Sequence, residues 1–550
     1  MLKKRQINNN KNLIALGIIW LLAAISDRLW FALDKSVPSW DVADYLTASL
    51  NYWRALQNPQ WFSQDWWINF WMLSPKIPPL TFILTVPFQD IFNPSSDSAT
   101  LIHLIFSAIL LASVYSLGSI LFNPKVSFWA AVLCVLFPGL YRYRLQFLLD
   151  YPLAAMVTLS FYCLTAWKLT KSKKQWFWAI AFGLAFGLAI LVKQTALFFL
   201  FIPLIWVGMA AIKNRHWQNL AQLIVGLLLS VAVFFPWART NWLLMFTAGK
   251  RATVDSAIAE GDPNLLTLDA WLYYWKLLPY HISWPLLLIP LVSILIYLIK
   301  QQLNNRKNPP KTHPLHPLQN PLPTSIKWLV IYLIGGYFIC SLNINKDFRY
   351  TLPLLPIISI ILAYGLTLLP RRWGQQIRLI TVSLAVILML LNLWPIGGYV
   401  GQQFAGWLSP LGDRRAYLGK EWPHQEVIAE IIKNEPYLQT TLGVLPSTPE
   451  INQHNLNYYG ALQNKQVYGR QVGTKLEQVN KDARSLSWFV TKTNNQGSVN
   501  RIKKAQAAIV KTIENSGEFK LQKMWQLPEN SQLNLYRRRL PLVEVYPISE

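Results

Sequence analysis

Long apolar segments alternate with short polar loops over the first 395 residues, and the pattern changes after that point. The first apolar segment, 13–33, is close to the length of about 20 residues that a membrane-spanning helix needs. Ten more follow, at about 100–121, 126–141, 150–168, 176–191, 196–212, 217–238, 281–300, 326–342, 350–369 and 376–395. The pattern therefore predicts a polytopic α-helical membrane protein with about eleven transmembrane helices.

The segment between the first two spans, 34–99, is of a different kind. It holds four aspartates and six tryptophans before residue 79, and its apolar end, 78–92, is shorter than a span. Amphipathic sequence rich in tryptophan is typical of the membrane interface. We predict an outside loop whose helices lie along the membrane surface.

The basic residues indicate how the helices are oriented. If 78–92 does not cross, the basic loops all fall on one side, which the positive-inside rule assigns to the cytoplasm. These residues are Lys168, Lys171, Lys173, Lys174, Lys213, Arg215, Lys300, Arg306, Lys307, Lys311, Arg371, Arg372 and Arg378. The basic start of the chain then lies inside, ahead of an uncleaved first helix. An odd number of spans places the residues after 395 outside.

The composition excludes several other classes of protein. Hydrophobic residues make up 53% and charged residues 14% of the chain, against about 25% charged in soluble domains. The net charge of +25 would suggest nucleic acid in a soluble protein, but the sequence holds no nucleic-acid module. Membrane lipids are the expected partners of these cations, and no nucleic-acid partner is expected. The three cysteines lie in apolar runs, without disulfide or metal spacing.

Two domains are expected from the change in composition. Residues 1–395 form a transmembrane domain, in which 34–99 is the outside loop and 301–325 a proline-rich cytoplasmic linker. Residues 396–550 form an extracytoplasmic α/β domain. Its patterns predict a strand ending near 446, a helix over 502–515, and a hairpin of 519–527 with 533–538.

Acidic residues with a candidate chemical role begin directly after the first span. Asp41 and Asp44 are three residues apart, so on a helix they share one face. A carboxylate framed by aromatic residues at a membrane surface can act as a general base or a metal ligand. Asp41 is equally suited to stabilising a helix N-terminus. Asp150 either caps the next helix or holds Arg144 or a metal.

Four basic residues fall on the outer side, where the positive-inside rule disfavours them. They are Lys76, Arg144, Lys193 and Arg349. Ionisable residues at or within membrane segments are functional by default, and arginine and lysine both bind phosphate. An anionic ligand at the outer face is the simplest reason for their placement.

The order of these features resembles the GT-C integral-membrane glycosyltransferases. The likeness is to the family that groups protein O-mannosyltransferases with the aminoarabinose transferase. An acidic residue follows the first helix, and a Lys-Pro-Pro-Leu-like motif, an Arg…Asp-Pro-Leu-like turn, a buried lysine and an Arg-Tyr-x-Leu-Pro motif come after it. Val42 stands where the family's acidic motif has Glu, and Ile77 splits the Lys-Pro-Pro-Leu motif.

The resemblance implies roles for individual residues. Asp41 would be the base or acceptor-orienting residue, and Asp150 the second acidic residue of the site, with Asp44 a candidate for the missing Glu. Tyr45 and Tyr350, which match motif tyrosines, would bind substrate. The carrier phosphate would be held by four residues: Lys76, Arg144, Lys193 and Arg349.

The function implied is transfer of a sugar from a polyprenyl-phosphate donor to a protein, lipid or glycan acceptor at the outer face, with inversion. The expected location is the plasma or inner membrane of a bacterium. No cofactor is required by the sequence, and a divalent metal is left open. The alternatives are a lipid-linked sugar flippase or transporter, and a polysaccharide polymerase or ligase.

Overall fold

A computed structural model describes residues 2–307, 324–369, 371–473, 475–497 and 500–539. The linker predicted at 301–325 lies outside the described residues from 308 to 323. Close contacts divide the chain into two compact units. The first unit is Met1–Ala32, Gln60–Thr81 and Thr100–Arg415; the second unit is Leu33–Pro59, Phe82–Ala99 and Ala416–Glu550.

The described residues are mostly helical. The α-helices, in chain order, are α1 Leu2–Leu33, α2 Trp40–Gln57, α3 Gln64–Met72, α4 Leu80–Leu84, α5 Val86–Phe92, α6 Ser96–Thr100, α7 Ile102–Leu121, α8 Pro124–Leu136, α9 Pro138–Arg144, α10 Asp150–Leu169, α11 Lys174–Val192, α12 Ala196–Lys213, α13 Trp217–Lys250, α14 Ser256–Glu260, α15 Leu268–Lys276, α16 Leu278–Ile282, α17 Trp284–Lys307, α18 Thr324–Leu342, α19 Leu355–Leu368, α20 Arg371–Leu393, α21 Gly398–Leu408, α22 His424–Asn434, α23 Gln453–Leu462, α24 Val479–Arg484 and α25 Asn500–Asn515.

Five strands and three short helices of other types complete the described elements. The strands are β1 Thr440–Val444, β2 Val467–Gln471, β3 Trp488–Lys492, β4 Phe519–Gln526 and β5 Gln532–Arg538. The short helices are a π-helix at Arg251–Asp255 and 3₁₀-helices at Phe348–Leu354 and Leu476–Gln478.

Among the described residues, ten helices are long and apolar enough to cross a membrane, and a bent pair makes an eleventh. The pair is α8 and α9, which meet at 59°. Pro138 opens α9, and Phe137 before it is extended, because a residue that precedes proline avoids the helical region. All eleven segments coincide with the predicted spans. The apolar stretch Leu80–Phe92 is too short to cross, which agrees with the prediction for 78–92.

Helix burial separates the interior of the first unit from its surface. The most apolar window of Asp150–Leu169 is 78% buried and that of Phe348–Leu368 is 72% buried, whereas the window of Trp284–Leu303 is only 17% buried. Exposed leucines and isoleucines on the outer helices are what lipid contact requires. The two innermost spans thus begin at Asp150 and at the segment that carries Arg349.

Small residues let helices of this unit approach closely. A Cβ atom on Gly183 of α11 would meet the carbonyl oxygen of Gly226 on α13 at 2.4 Å, which no real side chain tolerates. Ser230 of α13 donates a hydrogen bond to the Gly183 carbonyl at 2.9 Å. The hydrophobic effect does not drive helices together in lipid, so close packing at small residues stabilises their contacts.

The second unit contains a mixed five-stranded sheet in the order β2-β1-β3-β5-β4. The first three strands are parallel, and β5 runs antiparallel to both β3 and β4. Two apolar core clusters lie against the sheet. Side chains of α22 and α23 belong to one cluster, and side chains of α24 and α25 belong to the second. The predicted α/β domain, its helix near 502–515 and its hairpin are confirmed.

The contacts group the early loop differently from the domain limits that the sequence predicts. Residues 33–59 and 82–99 cluster with 416–550 rather than with the spans, and 396–415 cluster with the spans. Two hydrogen bonds help to explain the first grouping. The Lys35 N–H donates to the Tyr417 carbonyl, and the Tyr417 N–H donates to Asp34 Oδ1, at 2.8 and 2.7 Å. Helix α2 also packs along α23, where Arg54 donates to the Ala461 carbonyl.

The second unit should lose stability in acid because of His424. Burial at the start of α22, beside the Tyr459 ring, lowers the pKa of His424 to about 4 from 6.5. Below pH 6.5 the His424 imidazole binds a proton in the unfolded chain, whereas in the folded chain it binds one only near pH 4. Stability is therefore complete above pH 6.5 and falls by up to about 3 kcal/mol as the pH falls to 4.

Hydrogen exchange of the β1 and β3 amides in the full chain, corrected for intrinsic rates, measures this effect. Protection should fall from pH 7 to pH 4.5 in the wild type and fall less in His424→Leu, which has no group to protonate there. An equal loss of protection in both proteins would contradict the assignment.

Candidate active site

A buried carboxylate and two cations meet where three elements of the first unit begin or end. Asp150 opens α10, Lys193 directly follows α11, and Arg349 lies in the first turn of the 3₁₀-helix Phe348–Leu354. Helix α10 packs against both of the other elements. Lys193 and Arg349 follow Asp150 by 43 and 199 positions in the sequence. The fold brings all three together at one end of the spans, as the alternating directions of the helices predict.

Local backbone structure directs Lys193 toward Asp150. Helix α11 ends at Val192, and Lys193 is extended, with φ of −159° and ψ of 130°. Its ammonium Nζ donates to Asp150 Oδ1 at 2.7 Å. A carboxylate at a helix N-terminus and a cation at a helix C-terminus also suit the two helix dipoles.

Arg349 is held from two sides. Asp347 caps the 3₁₀-helix by accepting from the Arg349 backbone N–H at 3.1 Å, and its Oδ2 accepts from the guanidinium Nε at 2.9 Å. The same Nε lies 3.8 Å from Asp150 Oδ2. Tyr350 adds its ring, whose centroid is 5.4 Å from the Lys193 ammonium. These four residues and Lys193 form what we call the cation cluster.

Burial in the cation cluster is asymmetric. The side chain of Asp150 is 1% exposed, whereas those of Lys193 and Arg349 are 14% and 17% exposed. The Asp150 carboxylate lies behind the cations, so the face open to solvent presents the donors of Lys193 and Arg349, with the 30% exposed Asp347 beside them. An ammonium has three donors and a guanidinium five. Such a face suits an anion with several oxygens, such as a phosphate.

Lys76 lies on a segment fixed beside the cation cluster. Its carbonyl oxygen accepts from the amide of Gln194, the neighbour of Lys193, at 3.3 Å. Trp237 of α13 donates to the Ser74 carbonyl at 2.9 Å, and the Ser74 hydroxyl donates to the Ile77 carbonyl at 2.6 Å. The backbone is thus tied down on both sides, while the Lys76 side chain is exposed.

Arg144 has a different partner from the one predicted. Its guanidinium makes two hydrogen bonds to Asp27 of α1, with Nε–Oδ2 at 2.5 Å and Nη2–Oδ1 at 2.9 Å. The two side chains are 4% and 2% exposed. This buried fork ties α9 to α1. Arg144 serves the helix packing here, and Asp150 holds Lys193 and Arg349 rather than Arg144.

The remaining predicted residues belong to the second unit and lie on α2. Asp41 is in the first turn of this helix. Tyr45 is buried, and its ring centroid is 5.8 Å from that of Phe82. Asp44 is exposed, with Oδ1 3.5 Å from Nδ1 of His454 on α23. No sequence pattern links His454 to Asp44, because the two residues are 410 positions apart.

No three His, Cys, Asp or Glu side chains gather into a metal-binding group within the described ranges. Asp150, the most buried carboxylate of the cluster, is already flanked by two cations. That environment does not fit a divalent ion at Asp150.

Comparisons with known proteins identify a matching family and chains of similar fold. Residues 76–239 match the family described as dolichyl-phosphate-mannose-protein mannosyltransferase. No curated protein matches the full sequence significantly. ArnT from Cupriavidus metallidurans has a similar structure in its apo state, with a TM-score of 0.59 and 13% identity over 95% of this chain and 98% of ArnT.

Two further structures share the architecture. ArnT bound to undecaprenyl phosphate aligns with a TM-score of 0.57, at 13% identity over 95% of this chain and 97% of ArnT. The mycobacterial arabinofuranosyltransferase AftD aligns with a TM-score of 0.52, at 11% identity over 95% of this chain and 40% of AftD. The fold is that of the GT-C glycosyltransferases. The resemblance inferred from the sequence motifs is confirmed, and with it the polytopic helical architecture.

Loss of the lysine in the cation cluster should destabilise this GT-C fold. Lys193→Met leaves the Asp150 carboxylate buried, with only the longer contact to Arg349, and breaking a buried pair costs about 3 kcal/mol. The midpoint of thermal unfolding in detergent should fall by several degrees. The matched control, Lys213→Met, removes an exposed lysine at the end of α12 and should melt like the wild type.

The double variant Lys193→Met with Asp150→Asn should recover part of the lost stability, since it leaves no uncompensated charge. If Lys193→Met and Lys213→Met melt at the same temperature, the pair carries no stabilising role.

Proposed function

We propose that the protein is a membrane glycosyltransferase that moves a sugar from a polyprenyl-phosphate donor to an acceptor at the outer face of the membrane. The observation that carries the proposal is the cation cluster, in which Asp150 is sealed and Lys193 and Arg349 turn their accessible faces outward. The match of 76–239 to the mannosyltransferase family and the bound undecaprenyl phosphate in ArnT support the same reading.

The position of the cluster suits a lipid-linked phosphate. Asp150 starts one apolar span, Lys193 follows the end of the next, and Arg349 starts another. Spanning helices alternate in direction, so these three ends share one side. A polyprenyl chain would then lie among apolar helices with its phosphate at their ends. The basic loops occupy the other ends, which supports an outer-face position for the site.

Charge explains why the cluster needs Lys76. The carboxylates of Asp150 and Asp347 balance Lys193 and Arg349, so the cluster itself has no net charge. Lys76 brings one uncompensated positive charge to its edge. A phosphate that loses its sugar gains negative charge, and cations already in place stabilise that charge in the transition state more than in the ground state.

The reaction is a single displacement. The acceptor oxygen or nitrogen forms a bond to the anomeric carbon, and the bond from that carbon to the phosphate oxygen breaks with its electron pair left on the phosphate. The anomeric centre inverts. The second pKa of a phosphate monoester is about 6, so the leaving group departs as an anion without a general acid.

Asp41 is our candidate for the group that receives the acceptor proton. It opens α2, which carries Asp44 three residues on, and a carboxylate within hydrogen-bond reach of a hydroxyl or amine is a sufficient base. Arg144 has no part in this role, because its guanidinium is bound to Asp27.

The decisive experiment presents polyprenyl-phosphate sugars and candidate acceptors to the purified protein and measures release of the free carrier. Asp41→Asn should lower the rate by about 100- to 10,000-fold, because it removes the proton acceptor. Lys76→Ala should lower it by about 100-fold, because one charge-stabilising donor is lost.

Two control variants carry the same kinds of substitution, Asp to Asn and Lys to Ala, and test folding and the assay. Asp65→Asn alters an exposed carboxylate on α3, and Lys213→Ala alters an exposed lysine. Both should keep wild-type rates. Wild-type rates in Asp41→Asn would remove Asp41 from the base role, and transport of the donor without carrier release would favour a flippase instead.

The proposed orientation has its own test. Ser172→Cys lies in the basic loop after α10, and Gln463→Cys lies after α23; both positions are exposed, and the three native cysteines are buried. A membrane-impermeant maleimide added to intact cells should label Cys at 463 and not at 172. Labelling in the opposite pattern would place the cation cluster at the cytoplasmic face.

A further inference from the structure

The second unit brings a histidine to the helix that carries the proposed base. Helix α23 begins with a reciprocal cap: Asn452 Oδ1 accepts from the Asn455 N–H, and Asn455 Oδ1 accepts from the Asn452 N–H. The cap fixes the first turn of α23, where His454 lies. Since α2 packs along α23, this turn holds the imidazole against α2.

The hydrogen bonds around His454 determine which ring nitrogen carries the proton. The Gln471 backbone N–H donates to Gln453 Oε1 at 2.7 Å, so the Gln453 amide presents its nitrogen to the other side. That Nε2 lies 3.2 Å from Nε2 of His454. An amide nitrogen only donates, so the imidazole Nε2 accepts. In the neutral ring Nδ1 is then the protonated nitrogen.

Nδ1 is the atom that faces Asp44, with Oδ1 3.5 Å away. The protonated nitrogen is therefore the one nearer the carboxylate, at a distance longer than a usual hydrogen bond but within ion-pair range. Asp44 is 56% exposed and His454 35% exposed. Exposed ion pairs of this kind stabilise a fold by less than about 1 kcal/mol. The contact restrains a carboxylate that is open to solvent.

We propose that His454 is a positioning residue, which holds Asp44 as the acceptor-orienting carboxylate one turn after Asp41. The inference rests on the proposed function and adds a role for the C-terminal domain in acceptor recognition. Val42 occupies the place of the Glu in the motif that this chain resembles. Asp44, aimed by His454, supplies a second carboxylate on the same helix face.

Acceptor kinetics at saturating donor test the proposal. His454→Leu should raise the acceptor KM or lower kcat by about tenfold, with donor binding unchanged. His454→Asn should restore most of the loss, because its amide nitrogen can take the place of Nδ1–H. Asp44→Asn should match His454→Leu, and the double variant should be no worse than either, since the two residues act as a unit.

The same variants should bind undecaprenyl phosphate with the same affinity as the wild type. His216→Leu, which alters an exposed histidine between α12 and α13, is the control and should have wild-type kinetics. If the wild type transfers sugar and His454→Leu is unaffected, or is impaired without rescue by Asn, the positioning role is wrong and the proposed function stands. If the wild type releases no carrier from any donor, both fall.

Discussion

The buried carboxylate of Asp150 is the interaction on which the arrangement of the first unit depends. A charge that is 1% exposed at the end of an apolar helix is tolerated only with partners. Its partners come from the end of α11 and from the segment before α19. Three spans must therefore finish at one level and in one orientation. The same requirement turns two cations toward an incoming anion, so the condition for folding also forms the proposed phosphate site.

The neighbouring ion pair of Arg144 and Asp27 differs from the cation cluster in its geometry and exposure. Their two hydrogen bonds form a closed fork at 4% and 2% exposure, with no accessible cationic face. In the cation cluster Arg349 is hydrogen-bonded to Asp347, lies 3.8 Å from Asp150 and is 17% exposed. Partial exposure is what makes a cation accessible to a ligand. The distinction depends on geometry, because both arginines appear alike in the sequence.

Most of the fold was predictable because its strongest determinant is local. Apolar runs of spanning length identify eleven segments, and alternation of their directions already placed Asp150, Lys193 and Arg349 on one side. Partner choice was not predictable. Nothing near Asp27 in the sequence marks it as the partner of Arg144, because the pairing depends on how α9 bends after Phe137. His454 was missed for a similar reason, since nothing local marks it as a neighbour of α2.

The pairing of Asp44 with His454 gives the departures from the family motif a physical explanation. A motif of two adjacent acidic residues places its carboxylates on different sides of a helix, about 100° apart. Spacing of three returns the second carboxylate to the face of the first, at the cost of exposing it. An exposed carboxylate has rotational freedom that a histidine N–H, fixed by Gln453 and Gln471, can remove. In the proposed mechanism the C-terminal sheet would act through His454, because Gln471 of β2 orients the Gln453 amide beside the imidazole.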